Sequence, residues 1–338
     1  MPLPRTIVLF GGPSDERLVS VATAQNLLSV LVDAEPWFVT PALRVHRLSR
    51  EEVLAHARAF EVELAPQAPP SFASLPEALG WDVRGAVFFL GVHGSWGEDG
   101  TVQKLLEERG LAFTGSGSRA SADAFDKTAA KRIAAAHGVR VVESIELPRG
   151  GEFDALASML ARHGRIVAKP VAGGSSVGLH QVCAGEDAER AARAIAGDGR
   201  PYITEAFVAG TELTVGVVDS ANGNSRALPV SEVRVDPGRA FDYAGKYLGK
   251  GTIEITPAEV TAAVARAAQE LALTAHAALG CYGYSRTDVI VDQRGPVFLE
   301  TNTLPGLTRA SFIPQQLAAE GTSMRSFLEG QIELALRR

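Results

Sequence analysis

The chain has 338 residues, of which 46% are hydrophobic and 21% charged. This balance is typical of a globular protein with two or three domains and argues against disorder. A formal net charge of -6, with Lys and Arg clustered only in pairs, argues against a nucleic-acid partner. The N-terminal apolar run is too short for a signal peptide, and no segment reaches transmembrane length. We therefore expect a cytoplasmic protein without a membrane partner.

Strands alternate with helices in the first third of the chain, which predicts α/β architecture. Residues 6–10 form an apolar strand, and a tight turn at 11–14 leads into a helix with apolar residues at helical spacing: Ala24, Leu27, Leu28 and Leu31. Residues 86–90 are a continuous apolar run, which is typical of a parallel strand covered on both faces. We therefore expect a parallel sheet near the N-terminus.

A helix is predicted over about residues 118–137, with Asp126 and Lys127 inside it. Residues 166–170 form a strand that ends in Lys169-Pro170 and leads into the glycine-rich segment 172–178. Such segments are usually linkers, but glycines next to a lysine also let backbone N–H groups approach phosphate oxygens. The Gly-x-x-x-x-Gly-Lys-Ser/Thr pattern is missing from the sequence, so a nucleotide would have to be held in another way.

The next part of the chain contains two more predicted strands, at residues 202–208 and 212–218. The sequence at 256–259 has the pattern of a capping box with proline at the first helical position. It predicts the start of the longest helix, which Gly280 ends.

Two predicted strands near the C-terminus carry polar residues that indicate a catalytic or metal-binding site. Arg286 and Asp288 alternate along one strand, and Glu300 and Asn302 alternate along the next. If the strands pair as a hairpin, these four side chains converge. Two carboxylates and an amide oxygen form the all-oxygen shell that Mg²⁺ prefers, which predicts a nucleotide-metal site. The alternative is that these residues simply line the solvent face of a half-buried hairpin.

Residues 115–120 match the relaxed dinucleotide pattern Gly-x-Gly-x-x-Ala and precede a predicted helix. A nicotinamide-binding protein is therefore an alternative. The pattern is weak by itself, and no acidic residue follows at the end of a second strand in the expected place.

Six blocks of residues, in order along essentially the whole chain, carry a resemblance: residues 11–20, 93–100, 113–117, 169–178, 242–247 and 283–306. Together they resemble the D-alanine–D-alanine ligases of the ATP-grasp superfamily. The resemblance implies an α/β protein with an ATP-grasp fold in three domains. These are an N-terminal parallel-sheet domain (1–115), a central α+β domain (116–208) and a C-terminal α+β catalytic domain (209–338).

The family's activity is then the expected one. ATP would phosphorylate the carboxylate of one D-alanine, and the amine of a second D-alanine would attack the acyl phosphate. The products would be ADP, phosphate and D-alanyl-D-alanine for peptidoglycan synthesis. The expected cofactors are ATP and two Mg²⁺ ions, for which Mn²⁺ can substitute, and the expected assembly is a homodimer.

The resemblance also implies roles for single residues. Asp288, Glu300 and Asn302 match the Mg²⁺ ligands. Arg286 and the Gly306 amide match an oxyanion site for the tetrahedral intermediate. The groups that match the nucleotide contacts are Lys127, Lys169, Ser175, Ser176 and Lys246 for the phosphates, and Glu205, Phe207, Val208 and Glu212 for adenine and ribose.

For the amino-acid substrates, Glu16 and His93 match the residues around the first ammonium group. Ser311 matches the anchor of the second carboxylate, and Phe312 stands beside it where leucine is usual. Three residues would form a hydrogen-bonded group that closes the site under a mobile loop and excludes water: Glu16, Ser175 and Tyr247.

Other functions remain open from the sequence. One is a different carboxylate-amine ligase of the same superfamily, including one that forms a D-lactate ester, although Tyr247 favours the dipeptide. From another class, a non-catalytic nucleotide-binding regulator could share this fold. The presence of Arg286 next to the predicted metal ligands argues against such a regulator, because a binding module does not need an oxyanion donor.

Overall fold

The computed structural model describes residues 3–174, 176–235 and 252–338. The described strands are β1 (Thr6–Gly11), β2 (Glu35–Val39), β3 (Val45–Arg47), β4 (Val87–Leu90), β5 (Ala112–Phe113), β6 (Ser144–Glu146), β7 (Ile166–Pro170), β8 (His180–Val182), β9 (Tyr202–Ala206), β10 (Thr211–Asp219), β11 (Ser225–Ala227), β12 (Ser231–Val235), β13 (Thr252–Ile255), β14 (Tyr284–Asp292) and β15 (Gly295–Asn302). The described helices are α1 (Arg17–Val30), α2 (Arg50–Ala55), α3 (Leu75–Leu79), α4 (Thr101–Glu107), α5 (Ser118–Phe125), α6 (Lys127–Ala136), α7 (Glu152–His163), α8 (Gly185–Asp198), α9 (Ala262–Ala278), α10 (Phe312–Ala319) and α11 (Met324–Ala335). None of these helices is both long and apolar enough to cross a membrane.

The first sheet contains the predicted parallel strands, in the order β3-β2-β1-β4-β5. β1 pairs in parallel with β2 and β4, whereas the edge strand β3 is antiparallel to β2. Every residue of β1 and β4 is buried, as their continuous apolar runs predicted. Four residues of the C-terminal helix α11 belong to the same hydrophobic core: Phe327, Leu328, Ile332 and Ala335. This core therefore joins segments from both ends of the chain.

The other two sheets are antiparallel. The middle sheet has the order β6-β9-β7-β8 and is covered by α7 and α8. The third sheet has the order β13-β12-β10-β14-β15, with β11 also paired to β10, and α9 packs against it. The longest strands, β10 and β14, lie side by side in the centre of this sheet. β14 carries two of the four polar residues predicted for the site, Arg286 and Asp288.

Two predicted helix boundaries are wrong. The single helix expected over 118–137 is divided at Asp126, whose backbone is extended and whose side chain accepts a hydrogen bond from the Ala129 N–H at 2.9 Å. The helix expected to begin at 256–259 is α9, and its N-cap is Thr261, whose hydroxyl accepts from the Val264 N–H. In both places a side-chain cap that sequence periodicity did not identify sets the helix start.

Gly216 of β10 gives a test of how α10 packs on the third sheet. A Cβ atom at this position would lie 2.5 Å from Ile313 Cδ1 and 2.6 Å from Gln316 Oε1. We expect Gly216→Ala to lower the stability of the protein by about 1–3 kcal/mol because of overpacking. The matched control is Gly330→Ala in α11, where a Cβ meets nothing within 4 Å, and it should stabilise the helix by about 1 kcal/mol. Thermal unfolding measures both, and an unchanged midpoint for Gly216→Ala would contradict this packing.

Candidate active site

The predicted hairpin of β14 and β15 is present and brings four polar residues together. In this antiparallel pair Arg286 is opposite Asn302, and Asp288 is opposite Glu300. Side chains of directly opposed residues share a face of the sheet, with Cβ atoms about 4.5–5.5 Å apart. The register changes after Asp288, so the polar pairs lie on one side of this irregularity and the apolar pairs on the other.

Asp288 is held by two neighbours. The Arg286 guanidinium donates to both of its carboxylate oxygens, at 2.9 Å each. The Thr214 hydroxyl of β10 donates to Asp288 Oδ1. Thr214 was not predicted as a site residue, although it alternates with Glu212 and pairs with Asp288 across the sheet. That alternation is the signal that would have identified it.

The carboxylates of Asp288 and Glu300 and the amide oxygen of Asn302 fit a hard divalent cation by donor type. Asn302 Oδ1 accepts from the Leu304 N–H at 2.9 Å, which fixes the orientation of its amide group. In the described part of the chain, no group of three or more His, Cys, Asp or Glu side chains forms a metal-type cluster. Two carboxylates and an amide leave the rest of a coordination shell to water and substrate oxygens, as Mg²⁺ commonly requires.

Lys127 links this hairpin to the glycine-rich segment. Its Nζ lies 3.3 Å from Glu300 Oε2 and donates to the Gly173 carbonyl at 2.7 Å. The Lys127 backbone N–H donates to the Val171 carbonyl at 2.9 Å, so the start of α6 is joined to the end of β7. The structure therefore brings the predicted phosphate lysine next to a predicted metal ligand.

A second charged group surrounds Glu205 of β9. Its Oε2 lies 3.0 Å from Lys169 Nζ, and its Oε1 lies 3.0 Å from Lys131 Nζ. Burial acts to raise the pKa of Glu205, but the two ammonium groups outweigh it and the net shift is downward. Lys131 was not predicted as a site residue. Its position four residues after Lys127 on the same helix was the available signal.

The other described residues predicted for the nucleotide lie on β10 or in the segments that follow β9 and β7. Glu212 is on β10, and its charge acts on Lys169 together with the charges of Glu205 and Glu300. Phe207 follows β9; its N–H donates to the Arg165 carbonyl at 3.0 Å, and the Arg165 guanidinium stacks on its ring. Val208 is the next residue. Ser176 lies in the loop after β7 with a φ of +56°.

Glu16 is the residue that precedes α1, and its carboxylate reaches two glycines. A Cβ atom on Gly94 or on Gly174 would stand 3.0 Å from Glu16 Oε2. This carboxylate is therefore enclosed by the segment after β4 and by the glycine-rich segment after β7. Any larger residue at these two positions would crowd it.

His93 is buried and connects two segments. Its Nδ1 lies 3.0 Å from the Leu304 carbonyl, to which it must donate, and its Nε2 lies 2.8 Å from the Thr23 hydroxyl. The buried Glu98, which was not singled out from the sequence, lies 3.6 Å from Nδ1 and accepts from the Gly94 N–H. Burial raises the pKa of Glu98 more than its contact with His93 lowers it.

The start of α10 carries the residues predicted for the second amino acid. Ser311 Oγ lies 2.8 Å from the Thr308 hydroxyl, and a Cβ on Gly306 would stand 2.7 Å from it. Phe312 is buried, with the Arg286 guanidinium 6.0 Å from the centre of its ring. Ser311, Phe312, Gly306 and Arg286 thus lie in one region.

Gln316 fastens this helix to the third sheet. Its amide nitrogen donates to the Thr214 carbonyl and its amide oxygen accepts from the Gly216 N–H, both at 3.0 Å. Three predicted site residues lie outside the described residues: Ser175, Lys246 and Tyr247.

The dinucleotide alternative does not agree with the structure of its motif. Gly117 precedes α5, as the pattern requires. The N–H and hydroxyl groups of Ser118, however, both donate to the Glu107 carboxylate. A side chain of the protein therefore occupies the helix N-terminus at which a pyrophosphate would bind.

Comparisons with known proteins identify the family. The family profile "D-ala D-ala ligase N-terminus" matches residues 5–116, and "D-ala D-ala ligase C-terminus" matches residues 154–333. The D-alanine--D-alanine ligase of Leptospira interrogans serovar copenhageni (strain Fiocruz L1-130) is 34% identical over 355 residues, which cover 99% of each chain.

Two solved structures are similar over almost the whole chain. The VanG D-Ala:D-Ser ligase of Enterococcus faecalis has a TM-score of 0.81 at 26% identity and covers 99% of this chain and 100% of its own. The D-alanine--D-alanine ligase of Bacillus anthracis complexed with ATP has a TM-score of 0.70 at 25% identity and covers 99% and 98%. These matches confirm the ATP-grasp fold and the family expected from the sequence. The chain belongs to the D-alanine–D-alanine ligase family.

Proposed function

We propose that this protein joins two D-alanine molecules into D-alanyl-D-alanine for peptidoglycan synthesis, with ATP converted to ADP and phosphate. Membership of the ligase family supports the reaction. The observation that carries it is the β14–β15 pairing, which sets Arg286 and Asp288 opposite Asn302 and Glu300 beside the start of α10. Such a group of charges suits the transfer of a phosphoryl group followed by attack on a carbonyl.

In the first step, a carboxylate oxygen of one D-alanine attacks the γ-phosphorus of ATP, and the bond to ADP breaks. In the second step, the amine of the other D-alanine attacks the acyl phosphate carbon, phosphate leaves, and the nitrogen loses a proton. Arg286 and the Gly306 amide stabilise the negative oxygen of the tetrahedral intermediate. The buried His93 and the close approach of Gly94 and Gly174 to Glu16 limit the access of water, which would otherwise hydrolyse the acyl phosphate.

ATP lies between the middle and third sheets in this proposal. Lys127 and Lys169, with Lys246 and the serines at 175 and 176, neutralise the phosphates. Glu205, Phe207, Val208 and Glu212 surround adenine and ribose. Asp288, Glu300 and Asn302 would hold two Mg²⁺ ions, or Mn²⁺ in their place. Bound there, the metal would supply positive charge against the phosphate oxygens.

The two D-alanine substrates bind next to the γ-phosphate of ATP in this proposal. Glu16 and His93 bind the first D-alanine, and Ser311 binds the carboxylate of the second next to Phe312. Tyr247 and Ser175 complete the site with Glu16. We further propose domains at 1–115, 116–208 and 209–338, a homodimer, and a place in the cytoplasm, where ATP is available.

The identity of the second substrate needs a separate test, because the similar Enterococcus faecalis enzyme is a D-Ala:D-Ser ligase. We expect D-alanine alone to support phosphate release with ATP and Mg²⁺. L-alanine should not support it. The measurement compares D-alanine with mixtures of D-alanine and D-serine or D-lactate and identifies each product by mass. Turnover that requires D-serine or D-lactate would move the assignment to the corresponding ligase.

The acyl phosphate can be tested with labelled substrate. D-alanine with oxygen-18 in its carboxyl group should transfer one labelled oxygen to the released phosphate, because that oxygen bridges carbon and phosphorus in the intermediate. Mass spectrometry of the phosphate measures the transfer. AMP and pyrophosphate as products would instead indicate adenylation and contradict the mechanism.

Replacing Glu300 tests the proposed metal-binding site. Glu300→Gln removes one anion opposite Asp288 and should lower kcat at least about a hundredfold while the fold is retained. The control is Asp292→Asn on the same hairpin. The Asp292 carboxylate lies 2.6 Å from the Arg140 guanidinium, and neither residue was predicted as part of the site. It should lower thermal stability but keep turnover. Near-normal turnover of Glu300→Gln with an unchanged Mg²⁺ requirement would refute the assignment.

A further inference from the structure

Glu205 has two counter-ions where one would neutralise it. Lys131 Nζ and Lys169 Nζ each lie 3.0 Å from one of its carboxylate oxygens. The side chains are almost inaccessible, at 4% exposure for Lys131, 5% for Glu205 and 13% for Lys169. A buried ion is strongly destabilised when it loses its partner, so each of these contacts matters to the other two residues.

The two lysines differ in their surroundings. Burial acts to lower the pKa of Lys169, but the charges of Glu205, Glu300 and Glu212 outweigh it and raise the pKa overall. For Lys131 burial dominates, so its pKa is lowered despite the attraction of Glu205. The charge of Glu300 acts on both lysines, and that of Glu212 adds to it at Lys169. By side-chain exposure, Lys131 is the more buried of the two.

The two lysines also come from different elements. Lys169 is on β7 and Glu205 on the neighbouring strand β9, in a register that places them diagonally across the strand pair. Lys131 comes from α6, which the Asp126 cap and the Lys127–Val171 backbone hydrogen bond hold in place. Lys131 therefore approaches Glu205 from a helix, whereas Lys169 approaches it from the neighbouring strand.

We propose that Lys131 is a positioning residue that keeps Glu205 neutralised and in place when Lys169 engages a phosphate of ATP. This inference rests on the proposed role of Lys169 in nucleotide binding. An ammonium group that turns towards a phosphate weakens its bond to Glu205. With Lys131 present, the carboxylate keeps one partner at 3.0 Å and its orientation towards the nucleotide. Without Lys131, Glu205 would compete with ATP for Lys169.

The experiment measures ATP binding by calorimetry with Mg²⁺, and the KM values for ATP and D-alanine, in four variants: Lys131→Met, Lys131→Arg, Glu205→Gln and Lys131→Met with Glu205→Gln. We expect Lys131→Met to weaken ATP binding by about tenfold or more. Lys131→Arg keeps the positive charge and should bind ATP nearly as the unmodified protein does. The KM for D-alanine should change little in either variant.

The Glu205→Gln background is the decisive control, because it removes the charge that Lys131 neutralises. There, Lys131→Met should change ATP affinity by less than about twofold, the range expected for uncoupled sites. An equal loss of affinity in both backgrounds would overturn the proposal and leave Lys131 a general structural role. Lower thermal stability with unchanged ATP affinity would overturn it as well. If Lys131→Met does not fold, Lys131→Gln is compared in the same two backgrounds with the same criterion.

The unmodified protein separates this inference from the proposed function. If it does not release phosphate from ATP in the presence of D-alanine, the proposed function is wrong. If it does, and the effects of Lys131 and Glu205 are additive, only the role of Lys131 is wrong.

Discussion

Two lysines, one turn apart on α6, hold the candidate site together because they bind acidic groups from different sheets. Lys127 contacts Glu300 of the third sheet and the carbonyl of Gly173 after β7. Lys131, on the same face of the helix, contacts Glu205 of the middle sheet. One short helix thus sets the distance between the two groups of charges. A shift of α6 would change both contacts at once.

The break before α6 makes these contacts possible, and the sequence did not reveal it. Residues 118–137 contain helix-favouring residues almost throughout, so periodicity predicts one helix. Asp126 leaves the helix because its side chain caps the Ala129 N–H, and because the next N–H bonds to Val171. Val171 lies at the end of β7, more than forty residues after Lys127 in the sequence. Local sequence patterns do not contain that contact.

Strand pairing was much easier to predict than helix placement. Alternation along β14 and β15 defines which side chains share a face, and a short turn suffices to make them antiparallel, so the set around Asp288 and Glu300 followed from the sequence. The contact between α10 and β10 did not follow from the sequence. It depends on the space that glycine leaves at position 216 and on Gln316, whose amide group bonds to the backbone of β10. Through this contact Ser311 and Phe312 keep a fixed place relative to Arg286.

Lys131 shows why a charge on a helix carries so little information by itself. At the fourth position after Lys127 it shares a helix face with it, but a lysine on such a face is usually solvated. Its burial beside Glu205 arises because α6, which packs on β15 of the third sheet, also lies against β9 of the middle sheet. The charged group therefore combines residues from three separate segments of the chain. The chemistry of the site could be predicted from residue types that alternate on neighbouring strands. The balance of its buried charges could not, because that balance exists only after the sheets and the helix have packed.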